Sequence, residues 1–83
     1  MLKRNIPEVQ LMAMSDEGLA ARVLAALAAD SRVGALSITV EAHGKIIILR
    51  GRVNNEEQRR EAEFLARGVP GVREVINEIA VLY

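Results

Sequence analysis

Along residues 36–42, LSITVEA, apolar and polar positions alternate strictly: Leu36, Ile38, Val40 and Ala42 against Ser37, Thr39 and Glu41. A period of two marks a strand with one dry and one wet face. The next stretch, GKIIILRGRV at residues 44–53, breaks that pattern. Ile47, Leu49, Gly51 and Val53 share one parity and can face a core, yet Ile46 and Ile48 occupy the other parity, where polar residues belong. Between the two, AHGK supplies a turn in which Gly44 is free to take a positive φ. The pattern predicts a β-hairpin.

Helical spacing flanks the hairpin. Ser15 followed by Asp16 and Glu17 reads as an N-cap with acids in the first turn. Leu19, Ala20, Val23, Leu24 and Leu27 then form an apolar stripe that ends near Asp30. A second start is read at Asn54, with Glu57 three residues on as a capping box. The helix behind it carries Gln58, Ala62, Leu65, Ala66 and Val69 on one face. GVPG at 68–71 stops it, because Gly68 suits a C-cap and Pro70 cannot continue the helix.

The tail VREVINEIAVLY fits either period: Val72, Val75, Ile76, Ile79 and Ala80 for a helix, Val75, Ile79, Val81 and Tyr83 for a strand. Its β-branched richness, and the need of a lone hairpin for a third strand, favour the strand. The order is then α-β-β-α-β. It predicts an α+β sandwich: a three-stranded mixed sheet with both helices on one face, strands two and three running parallel through a right-handed crossover. Residues 15–83 form this domain. Residues 1–14 stand apart as an apolar segment (Leu2, Ile6, Val9, Leu11, Met12, Met14) expected to dock, as an extra strand through EVQLMAM or as a cover for the other sheet face.

Composition narrows the chemistry. Eighty-three residues make one domain with a small core. There is no cysteine, hence no disulfide and no thiolate. Eleven basic residues balance eleven acidic ones, so no overall field recruits nucleic acid or an anionic membrane. No stretch approaches the roughly 20 apolar residues that span a bilayer. Pro7, Glu8 and Gln10 interrupt any signal-type apolar run, so no secretory signal is expected in this chain, and the compartment stays open.

Catalytic constellations are missing from the pattern. His43, the single histidine, sits beside the hairpin turn; Ser15, Ser31 and Ser37 read as a cap, a loop residue and the wet side of a strand. No nucleophile and base pair up, and no metal-ligand set exists, so neither an enzyme nor a cofactor or metal site is expected. GVPG is formally a G-x-x-G, the loop with which KH domains clamp nucleic acid, but Val69 and Pro70 bring no basic side chain. On the second helix a 100° step per residue turns Phe64 away from the core stripe, with Arg60 and Arg67 on the same outer surface. The functional reading is an aromatic anchor with guanidinium groups for phosphates or carboxylates. The bland one is a stray ring among ordinary Glu56–Arg60 and Glu63–Arg67 pairs.

On the outer sheet face Ile46, Ile48, Ile76, Ala80 and Leu82 fall together, bordered by Arg50 and Arg52. Such a patch calls for a cover: the N-terminal segment, a second copy, or a membrane or foreign partner. Gly51, a glycine inside a strand, marks a bulge or a close approach, here expected from a helix crossing over the sheet. Asn77, on the core parity of the last strand, reads as a hydrogen-bonding structural residue.

Taken in order, these residues resemble a BON domain. The hairpin supplies Ile47, Leu49, Gly51 and Val53, the helix Ala62, Leu65 and Ala66, and the closing motif Gly71, Val72, Val75, Asn77 and Ile79. Gly44 sits one residue further from Gly51 than the family pattern has it, which implies a turn longer by one. The resemblance covers residues 15–82 and makes Gly51, Gly71 and Asn77 structural family positions. It implies binding rather than catalysis: contact with an anionic phospholipid surface or an envelope protein, often in the periplasm. The alternative it leaves open is a cytoplasmic domain for small-ligand or ion sensing or for homo-oligomerisation, with KH-like nucleic-acid binding as a lesser one.

Overall fold

A computed structural model describes residues 15–34 and 36–82. The docking expected of residues 1–14 lies outside the described residues. Helix α1 spans Asp16–Ala28, strands β1 and β2 Ser37–His43 and Ile46–Val53, helix α2 Glu56–Arg67, and strand β3 Glu74–Val81. The sheet order is β1-β2-β3, with β1–β2 antiparallel and β2–β3 parallel. This is the α+β arrangement expected from the periodicity, and the ambiguous tail is a strand.

Local signals set the element ends. The Ser15 hydroxyl accepts a hydrogen bond from the Gly18 N–H at 3.0 Å and caps α1. The α2 cap is one residue later than the Asn54–Glu57 reading. Asn55 Oδ1 accepts from the Gln58 N–H at 2.8 Å, and Gln58 Oε1 accepts from the Asn54 N–H at 2.8 Å. Two adjacent asparagines offer the same side chain, and the one whose extended backbone precedes the first helical residue takes the role. The hairpin closes on Gly44 and Lys45 alone, so the turn is not lengthened. Gly44 has φ +66°, and no non-glycine residue among those described has positive φ, which fits a II′ turn.

Each helix places its stripe on the same sheet face. Leu19, Val23 and Leu27 of α1 are buried, as are Ala62 and Ala66 of α2. They meet Ile38 of β1, Ile47, Leu49 and Val53 of β2, and Val75 and Ile79 of β3. Helix α1 packs on β1, and α2 on β3 and β2. Burying an aliphatic side chain of this size contributes about 1.5–3 kcal/mol, so the layer contact dominates stability. The loop after α1 adds Val33, which is fully buried. Asp30 Oδ1 holds that loop by accepting from the Arg32 and Val33 N–H groups, and Arg32 pairs with Glu61 of α2 at 2.8 Å.

Candidate binding surface

The two helices and the loop after α2 border a shallow, open apolar groove of about 980 Å³ on the side away from the sheet. Ala25 and Ala26 line it from α1, Phe64 and Leu65 from α2, and Val69 and Pro70 from the loop. The small α1 residues keep the groove from filling. Phe64 is 71 % exposed, as its position opposite the core stripe requires. A ring so bare contributes little to the fold and leaves most of its apolar surface available.

Charge surrounds that ring unevenly. Arg60 and Arg67 flank Phe64 in a shallow depression that also includes Glu63. Both arginines are engaged along the helix: Arg60 lies 3.6 Å from Glu56, and Arg67 lies 2.6 Å from Glu63. Arg22 of α1 is on the opposite rim of the groove and is exposed. Among the described residues it has no carboxylate partner within 4.0 Å. Sequence reasoning missed Arg22. It sits about 100° from Val23 around the helix, and only the packing of α1 beside α2 shows that this flank borders a groove.

The outer sheet face is less bare than its pattern suggested. Ile46 and Ile48 are half-buried, because β2 is the central strand and neighbours close in from both sides. Ile48 pairs with Glu41 and Ile76, Ile46 with His43 and Glu74. Ile76 and Leu82 remain 37 % and 53 % exposed. Arg50 is not a free border cation. It bridges all three strands, to Glu41 at 2.8 Å and Glu78 at 3.0 Å. The hydrogen bond to Glu78, then the charge of Glu41, raises its guanidinium pKa above the usual value. Arg52 beside it is exposed.

Gly51, Gly71 and Asn77 are held in the fold in different ways. Gly51 has φ +138°, and an added Cβ would lie 2.0 Å from the Ser37 carbonyl oxygen and 2.9 Å from Ile38 Cα. The close approach therefore comes from the β1 backbone, not from a helix crossing the sheet. Gly71 lies in the loop before β3, against Leu19. Asn77 is half-buried and fully committed: its Nδ2 donates to the Arg59 carbonyl and to Glu63 Oε1, both at 3.1 Å, and its Oδ1 accepts from the Ile79 N–H at 3.1 Å.

The remaining singled-out residues stay apart. His43 is exposed, 3.5 Å from Glu41. Ser15, Ser31 and Ser37 lie at separate places along the fold. Among the described residues no group of three potential metal ligands occurs. In the GVPG loop Val69 is buried, so half of the variable pair points into the protein rather than at a ligand.

Fold and surface together define a small two-layer domain whose distinctive features are a groove and a bare ring, the anatomy of a binding module. The chain belongs to the BON domain family, whose profile matches residues 15–83. It is 34 % identical over 68 residues to osmotically-inducible protein Y of Escherichia coli (strain K12), covering 82 % of this chain and 34 % of that protein. The chain thus spans about a third of the relative's length. Its fold is similar to the C-terminal domain of CdsD, the structural protein of the type III secretion system of Chlamydia trachomatis. That likeness has a TM-score of 0.66 at 18 % identity and covers 82 % of this chain and 34 % of that one. Family membership supports a binding kind of role.

Proposed function

We propose that this domain is a non-enzymatic binding module whose groove side contacts anionic phospholipid surfaces. The observation that carries the reading is Phe64, 71 % exposed beside an apolar groove with Arg22 and Arg67 on its rims. An aromatic ring can enter the headgroup–acyl boundary while guanidinium groups meet phosphates. With eleven charges of each sign, the protein gains little long-range attraction, so ring and groove supply most of the affinity. Among the described residues no helix is long and apolar enough to cross a membrane, and the contact proposed is with the surface.

Vesicle co-sedimentation tests the reading. Binding to phosphatidylglycerol-containing vesicles should exceed binding to pure phosphatidylcholine and should weaken only in part as salt rises, since the apolar contribution is unscreened. Equal, negligible sedimentation with both vesicle types would contradict it.

A further inference from the structure

The two edges of the sheet are treated differently. In the parallel β2–β3 ladder, the backbone groups of Val75, Asn77, Ile79 and Val81 point away from β2, because Leu82 N–H reaches the Val53 carbonyl and Glu74 N–H the Lys45 carbonyl. Helix α2 closes the middle of that edge. Arg59 Nε donates to the Ile79 carbonyl at 3.1 Å and Arg59 Nη2 to the Asn77 carbonyl at 3.3 Å, while Asn77 Oδ1 takes the Ile79 N–H at 3.1 Å. An incoming strand finds those groups occupied.

Among the described residues the β1 edge has no such plug. His43 and Ile46 close the two-residue turn, so Glu41, Thr39 and Ser37 direct their backbones to β2, and Ile38, Val40 and Ala42 direct theirs outward. Among the described residues only the Ile38 N–H is taken locally, by the Leu36 carbonyl at 3.0 Å. Among the described residues Val40 and Ala42 have no other partner, and the strand carries neither proline nor lysine to repel a neighbour.

Above this edge, α1 presents a second apolar feature. With Val23 facing the sheet and Ala26 facing α2, the flank turned away from α2 carries Ala20, Leu24 and Ala28 at four-residue spacing. Leu24 is 48 % exposed. We infer that the β1 edge and this α1 flank form a self-complementary interface with a second copy of the chain, joining two three-stranded sheets into one continuous sheet.

A two-fold axis at Val40 satisfies both layers. Val40 exchanges N–H···O bonds with Val40 of the second copy, and Ala42 N–H reaches the Ile38 carbonyl. On the outer face Thr39 meets Glu41 and Ser37 meets His43, so no like charges oppose. Strand β1 and helix α1 are both about 20 Å long at ordinary rises. They run in opposite directions, since Gly44 N–H at the end of β1 bonds Asp16 Oδ1 at the start of α1. The axis therefore passes beside the middle of α1 and sets Leu24 against Ala20 of the second copy, a large residue into a small one. Alanines allow the roughly 8 Å helix approach that this needs. Both grooves then face the same side, giving a flat surface two binding sites at once. The dimer is independent of the lipid reading, because its assay contains no lipid.

Sedimentation over a wide concentration series should show the mass rising from one chain toward two. Hydrogen exchange should show Val40 and Ala42 amides gaining protection with concentration. Leu24→Glu, on an exposed helical position, should weaken association about tenfold or more with an unchanged helix signal. A single-chain mass at every concentration would overturn the inference, including the case where the chain's own remaining residues protect β1. So would a dimer in which Leu24→Glu has no effect and the Val40 and Ala42 amides stay unprotected.

Discussion

Arg59 and Asn77 hold each other by backbone as well as side chain: the Arg59 guanidinium donates to the Asn77 carbonyl at 3.3 Å, and the Asn77 carboxamide donates to the Arg59 carbonyl at 3.1 Å. The exchange fastens α2 to β3 at the sheet edge. Removing either side chain leaves half-buried backbone groups unpaired, which costs about 1–3 kcal/mol. Arg59→Ala and Asn77→Ala should each lower the denaturation midpoint by that order. The double variant should lose less than the sum, with a coupling of about 0.5–3 kcal/mol. Additive losses would show that the two act separately.

Two glycines separate strain from collision. Gly44 has φ +66° with nothing within 4 Å of an added Cβ, so Gly44→Ala should cost only the left-handed penalty of about 1–2 kcal/mol. Gly51 combines φ +138° with a Cβ position 2.0 Å from the Ser37 carbonyl oxygen, and rigid backbone cannot step aside. Gly51→Ala should therefore exceed the usual overpacking loss of about 1–3 kcal/mol. Urea titrations of both variants check the order. Equal midpoints would mean that the β1–β2 approach is looser than described.

The α2 cap offers a discrimination between neighbours. Asn55 Oδ1 makes the capping bond at 2.8 Å, whereas Asn54 contributes its backbone N–H to Gln58. Asn55→Ala should destabilise by about 1 kcal/mol, and Asn54→Ala should change stability by less than half of that. Thermal melts of the pair read the difference directly.

Much of this could be read from periodicity. The alternation through LSITVEA and the inward parity of Ile47, Leu49 and Val53 gave both strands of the hairpin. The Ala62–Ala66 stripe gave the face of α2. What stayed hidden depends on partners far along the chain. Gly51 answers to Ser37, Asn77 to Arg59, and Arg22 borders a groove completed by Pro70. Ile46 and Ile48 looked uncovered because a strand pattern shows its two faces but not the neighbours that flank a central strand. The Asn54 cap was displaced by one residue for a simpler reason, since both asparagines satisfy the same local rule.

Phe64 tests the separation of binding from folding. At 71 % exposure its removal should leave the melting temperature nearly unchanged, unlike the about 3–5 kcal/mol lost when a buried phenylalanine is truncated. Phe64→Ala should meanwhile reduce sedimentation with anionic vesicles. A large loss of stability would place the ring in the core and remove it as an anchor.

The chain contains no tryptophan, so Phe64→Trp introduces a single emitting indole at the proposed contact. Its emission should shift to shorter wavelength when phosphatidylglycerol vesicles are added and stay in place with phosphatidylcholine alone, as the ring leaves water for the headgroup–acyl boundary. An unshifted spectrum at saturating anionic lipid would contradict the claim that this groove side is the binding surface.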